Sequence, residues 1–139
     1  MSGTFRILEH PADLGIEAEG KTLRDAFINA AHGLMAIILD PSTVDVHETR
    51  EVKLQSSDRE RLLVQWLSEI LYLYDGQGFV AKEFDIVRLT DASLEAVVHG
   101  ERLDLQKHRT RLDVKAVTYH QLEIRDDEHG ARVRVFLDI

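Results

Sequence analysis

The 139-residue chain contains no cysteine at all, two prolines, two methionines and one tryptophan. The missing cysteines exclude disulfides, thiolate metal sites and a cysteine nucleophile. Apolar residues never run to the about 18 in succession that a membrane-crossing helix requires, so no membrane span is expected. The opening Met1-Ser2-Gly3-Thr4-Phe5-Arg6 has no apolar signal core. Secretion is therefore not expected, and the cytoplasm is the expected compartment. Positive charge is also scarce. Lys and Arg total 17 against 25 Asp and Glu, a formal charge of −8, which argues against nonspecific nucleic-acid binding as the main activity. The local basic run Lys107, His108, Arg109 and Arg111 reads as a solvated loop. Catalytic signatures are missing too. There is no Gly-rich phosphate loop, no GxSxG, no HExxH and no dinucleotide fingerprint.

What is present is enough for one domain spanning 1–139. The chain is 44% apolar and 30% charged, an ordinary balance for a soluble globular chain with a core of its own. Its end is strongly patterned. Leu112–Arg125 and Ala131–Ile139 are alternating runs around the polar, glycine-ended Asp126–Gly130, a hairpin signal. Upstream, Phe5–Leu8 and Ile16–Glu19 read as short strands around a Pro-bent loop holding Asp13. Thr22 with Asp25 reads as a cap opening a helix to about Leu39. Val44–Leu54 is strand-like. Ser57 and Glu60 form a capping box before Leu62, Leu63, Trp66, Leu67, Ile70, Leu71 and Tyr74, an apolar arc of roughly 200° at helical spacing. An arc that wide needs cover on two sides. Phe79–Leu89 and Leu94–His99 are further strands, and residues 100–105 a loop. Strands and helices do not alternate one by one, so the class is α+β. The expected architecture has two largely buried helices packed against antiparallel or mixed sheets in a β/α/β layering.

Two features could carry chemistry. Asp13, Asp138 and the Ile139 α-carboxylate meet if the first strands lie beside the last one. Three such groups either raise one another's pKa or share a hard cation: calcium, magnesium or manganese. His10, three residues before Asp13, is placed to orient a ligand. Lys115, between Val114 and Ala116, reads either as an edge gatekeeper of a strand or as a lysine aimed at an anionic partner.

Several separated segments resemble one family in the right order. They are Glu9–Ile16, Gly20–Leu23 with Asp25–Phe27, the helix around Trp66-Leu67-Ser68-Glu69, Val114–His120, and the closing Asp138-Ile139. Together they resemble the archease family across nearly the whole chain. The resemblance implies a non-catalytic partner of the RtcB-type RNA ligase of tRNA splicing and RNA repair. Such a partner promotes guanylylation and multiple turnover of the ligase, and touches RNA only indirectly. It also implies a metal site at Asp13, Asp138 and Ile139, with calcium the usual ion, and a role in ligase activation for Lys115. The chain departs from the family at Pro11, where threonine is common. Proline stiffens that loop and removes a backbone donor. Two other readings compete: a general chaperone-like or protein-binding modulator, and a small metal-dependent hydrolase using Asp13 and His10.

Overall fold

A computed structural model describes residues 3–10 and 13–139, with His10 described by its backbone alone; Pro11 and its effect on the loop lie outside the described residues. The order is β1 (Phe5–His10), β2 (Asp13–Gly20), α1 (Leu23–Ile38), β3 (Glu48–Gln55), α2 (Arg59–Asp75), β4 (Phe79–Leu89), β5 (Ser93–Arg102), β6 (Ala116–Asp127) and β7 (Gly130–Asp138). The strands form two sheets, β1-β2-β7-β6 and β3-β5-β4, and every pairing is antiparallel. Helix α1 packs on β1, β2 and β7 with one side and on β4 with the other. Helix α2 likewise contacts β6 and all three strands of the smaller sheet. The helices therefore lie between the sheets, in the expected α+β layering, with antiparallel sheets only.

Local chemistry explains both helices. The Thr22 side chain accepts the Asp25 amide hydrogen at 3.2 Å, satisfying one of the donors that a helix start leaves unpaired. Ala26, Ala30, Ala31 and Gly33 are small buried positions along α1, and Gly33 meets the larger sheet at Ile16 and Phe5. A Cβ on Gly33 would stand 2.9 Å from the Ile16 methyl. Helix α2 is capped one residue later than the box predicts. Asp58, not Ser57, accepts from the Arg61 amide, at 2.8 Å. Its carboxylate adds attraction to the positive end of the helix. Leu62, Leu63, Trp66, Leu67 and Ile70 are all fully buried, as the wide apolar arc requires. Trp66 donates its indole N–H to the Phe27 carbonyl of α1 at 3.0 Å and meets the Phe84 ring edge-on.

Strand ends differ from the sequence reading where partners run out. Strand β3 starts at Glu48, and Val44–His47 is an extended approach to it. Strand β5 continues through Arg102. Strand β6 starts only at Ala116, opposite Asp138, because β7 offers no partner beyond that residue. The Arg111 and Leu112 amides bond instead to the Ile38 and Ile37 carbonyls at the end of α1. Glu128 and His129 close the last hairpin, and Gly130 follows at φ +125°, a conformation that favours glycine.

A buried carboxylate ties the long 103–115 loop down. Glu101, 7% exposed, accepts from the Asp45 amide at 2.8 Å and from Lys107 Nζ at 2.9 Å. It also bonds His108 Nε2 at 2.8 Å. Because His108 Nδ1 accepts the Asp104 amide hydrogen, Nε2 carries the imidazole proton and donates it to Glu101. Burial alone would push the Glu101 carboxyl up. These bonds outweigh it and hold the group down at about 2.

Two outcomes follow. Trp66→Ala should cost about 3–5 kcal/mol in denaturant unfolding, and native Trp66 should resist acrylamide quenching. Glu101 governs the acid limb of stability. Between its ordinary 4.5 and its folded value of about 2, the unfolded chain binds a proton that the folded chain does not. Stability from this group is therefore complete above that window. It is lost as pH falls through it, by up to about 1.4 kcal/mol per pH unit. Glu101→Gln should flatten that slope; an unchanged slope contradicts the assignment.

Candidate functional site

The outer face of the larger sheet, turned away from the helices, is built in rows. Strand side chains alternate, so residues paired in register share a face. At the outermost row His10 stands opposite Asp13, Asp13 opposite Asp138, and Asp138 opposite Ala116. The next row is Leu8, Gly15, Phe136 and Thr118. The third is Arg6, Glu17, Arg134 and Glu123.

The third row is a charge ladder of alternating sign. Glu17, 4% exposed, is held by Arg6 on Oε1 and by Arg134 on Oε2, at 3.0 and 3.3 Å. Arg134 Nη1 also reaches Glu123 at 2.8 Å. Burial raises the Glu17 carboxyl, but the two arginines pull it below its usual range. In the second row the Phe136 ring covers Gly15. A Cβ there would come within 2.7 Å of the ring, so only glycine admits the aromatic. The Thr118 hydroxyl donates to the Phe136 carbonyl at 3.0 Å, and His120 meets the ring edge-on.

The outermost row is the candidate metal site. Asp13 is the first residue of β2, not part of a loop as its flanking proline suggests. Asp13 and Asp138 are direct cross-strand partners, which places their Cβ atoms about 5 Å apart. Like charges so placed repel, and a divalent cation between them resolves that repulsion. Asp13 is half-buried with its Oδ1 closed off from solvent, whereas Asp138 is exposed. An oxygen-only donor set at a sheet end fits a hard ion. Ile139 follows directly after β7 and is 40% exposed. The His10 side chain lies outside the described residues, though its backbone register is opposite Asp13.

Lys115 does not sit inside a strand. It is the last residue before β6, and its amide donates to the Asp138 carbonyl at 2.8 Å. Its side chain is exposed. The backbone thus ties Lys115 to Asp138 at the end of the sheet, with its side chain in solvent. Just beyond, the β6–β7 register shifts between Thr118 and Glu123. Gln121 adopts φ +52° there, and Tyr119 and His120 are exposed. The sequence reading joins Asp13, Asp138 and Ile139 and treats Lys115 as a separate strand lysine; it misses Glu17, Arg134 and Phe136. Alternation from Asp13 through Gly15 to Glu17, and back from Asp138 through Phe136 to Arg134, was the available signal.

Comparison with known proteins agrees with this architecture. The model of the Archease protein family matches residues 5–139. "Protein archease" of Saccharolobus islandicus is 42% identical over 137 residues, covering 98% of this chain and 99% of that one. "Protein archease" of Methanosarcina barkeri is 37% identical over 139 residues, covering 97% and 95%. The solution structure of protein 1598 of Methanobacterium thermoautotrophicum superposes with a TM-score of 0.80 at 34% identity, covering 97% of this chain and 98% of that one. The crystal structure of a Thermotoga maritima protein called an archease and possible chaperone has the same fold. Its TM-score is 0.61 at 20% identity, covering 95% and 94%. None of the described helices is long and apolar enough to cross a membrane. With a family model that spans all but its first four residues, this chain belongs to the archease family.

Proposed function

We propose that this archease is a non-catalytic activator of an RtcB-type RNA ligase, promoting guanylylation and repeated turnover of that enzyme. The observation that supports this best is the outermost row of the larger sheet. It pairs Asp13 with Asp138 in register and hangs Lys115 from the Asp138 carbonyl. In this reading Asp13, Asp138 and the Ile139 carboxylate hold one hard cation, calcium by family resemblance, with manganese or magnesium as alternatives. When bound, the ion supplies a positive centre that binds phosphate or carboxylate oxygens. The chain's own contribution is placement. The β2–β7 register fixes the two carboxylates, and Phe136 over Gly15 closes the row behind them. Lys115 offers an ammonium to an anionic group on the partner, with RNA contacted only through the ligase.

The deciding experiment is an RNA ligation time course with limiting ligase. The chain should convert a single round into many. Asp13→Asn, Asp138→Asn and Lys115→Ala should each abolish that gain while leaving the melting temperature in chelator nearly unchanged. A general chaperone predicts the opposite: loss on replacing exposed Leu105, Leu112 or Tyr119, and indifference to Lys115. For the metal, calorimetry should show calcium or manganese binding lost in Asp13→Asn. A Gly-Ser extension after Ile139 should weaken binding and ligase stimulation together, because it replaces a carboxylate by a neutral peptide carbonyl and leaves the strand's side chains in place. Equal stimulation by the extended chain at limiting metal would remove Ile139 from the ligand set.

A further inference from the structure

A second constellation lies at the far end of β5, in the network around Glu101, and shares no residue with the Asp13–Asp138 row. We propose that Asp45, His47 and Glu101 form a site for a divalent transition ion of the zinc type, in which Lys107 is the resident cation until the ion displaces it.

Four observations carry this. First, one ligand atom from each of the three side chains lies within 4.8 Å of the others, and His47 Nε2 is already 3.7 Å from Glu101 Oε1. A tetrahedral zinc site needs ligand atoms about 3.3 Å apart. Asp45 and His47 are both exposed, so rotamer changes at these two close the gap while Glu101 stays fixed. Second, the backbone presents them together. His47 donates its amide to the Gly100 carbonyl at 2.8 Å, which lays the extended Asp45–His47 segment along the end of β5. Asp45 and His47, two residues apart, then project to the same side.

Third, Glu101 is oriented as an outer shell orients a metal ligand. Its Oε2 accepts from the Asp45 amide and from His108 Nε2, both at 2.8 Å. His108 is fully buried at its side chain and its tautomer is fixed by the Asp104 amide, so it acts as a positioning residue. This leaves Oε1 turned toward His47 and Lys107. Fourth, the cluster already holds a cation. Lys107 Nζ lies 2.8 Å from Asp45 Oδ2 and 2.8 and 2.9 Å from the two Glu101 oxygens.

An ammonium can only donate hydrogen bonds, so it cannot take the His47 imidazole as a ligand. A divalent ion in its place neutralises both carboxylates and gains the imidazole. One nitrogen and two oxygen donors suit zinc or cobalt better than calcium, which takes oxygen ligands. Lys107 is 37% exposed at its side chain, so it can swing into solvent. The three ligands leave a fourth position for water.

Cobalt(II) is the probe, because four-coordinate cobalt absorbs visible light. The full chain is titrated with Co²⁺, followed by displacement with Zn²⁺. One saturable equivalent should appear. His47→Ala, a change at an exposed side chain, should weaken it at least tenfold, and Lys107→Met should strengthen it by removing the competitor. Asp13→Asn with Asp138→Asn should leave the spectrum and its midpoint unchanged, which separates this site from the sheet-end row. Absence of a cobalt spectrum in the parent chain overturns the proposal. So does a His47→Ala titration that matches the parent, or a Lys107→Met midpoint that fails to tighten.

Discussion

The helix layer is the constraint on which everything else rests. The two sheets share no strand, and what joins them is the apolar volume of α1 and α2. An ordinary amphipathic helix presents one stripe to one partner. Here both helices are wetted on neither broad side, so each must match two sheets at once. The Trp66 indole locks the layer internally. Its ring fills space against Phe84, and its N–H satisfies itself on the Phe27 carbonyl instead of seeking water. Interiors are close-packed, so this pair fixes how the helices lie against each other and hence where each sheet can sit.

The carboxylates that the fold covers show different solutions to one problem. Glu17 is buried between two arginines. Glu101 is buried against a neutral imidazole, a backbone amide and a lysine. Both solutions keep the charged form stable inside the fold, because each carboxylate oxygen has donors. Asp13 and Asp138 differ in that each has another carboxylate directly opposite it across the β2–β7 pair. Within one sheet, then, the row carrying Arg6, Glu17, Arg134 and Glu123 is complete in itself. The row at the strand ends instead sets Asp13 directly opposite Asp138.

How much of this is legible from the residues depends on the range of the interactions. The Thr22 cap, the Trp66 stripe and the terminal hairpin are local, and their patterns are visible in a few consecutive residues. The α2 start slips by one residue because Ser57 and Asp58 are both good caps, and only the Arg61 amide direction decides. Residues 112–115 alternate like a strand yet are not one, because strand length is set by the partner and β7 ends at Asp138. Asp13 looks like a loop residue because Pro11 precedes it, yet it pairs on one side with His10 and on the other with Asp138, 125 positions away. The Glu101 network joins residues 45–47 to residues 101–108, and no local pattern announces it. Its compact traces in the sequence are Asp45-Val46-His47 and Lys107-His108.

The sheet order β1-β2-β7-β6 also has a consequence in time. Ribosomes release the chain from its first residue, so β1, β2 and both helices emerge well before β6 and β7. During that interval β2 has only β1 beside it, and the helix layer lacks the cover that β6 and β7 provide. The two aspartates meet only when β7 zips onto β2 as the last strand to appear. The acidic row therefore reports completion of the fold: an unfinished or C-terminally clipped chain can contain Asp13 but cannot assemble its partner. Until β7 has paired with β2, Asp13 and Asp138 cannot stand opposite each other.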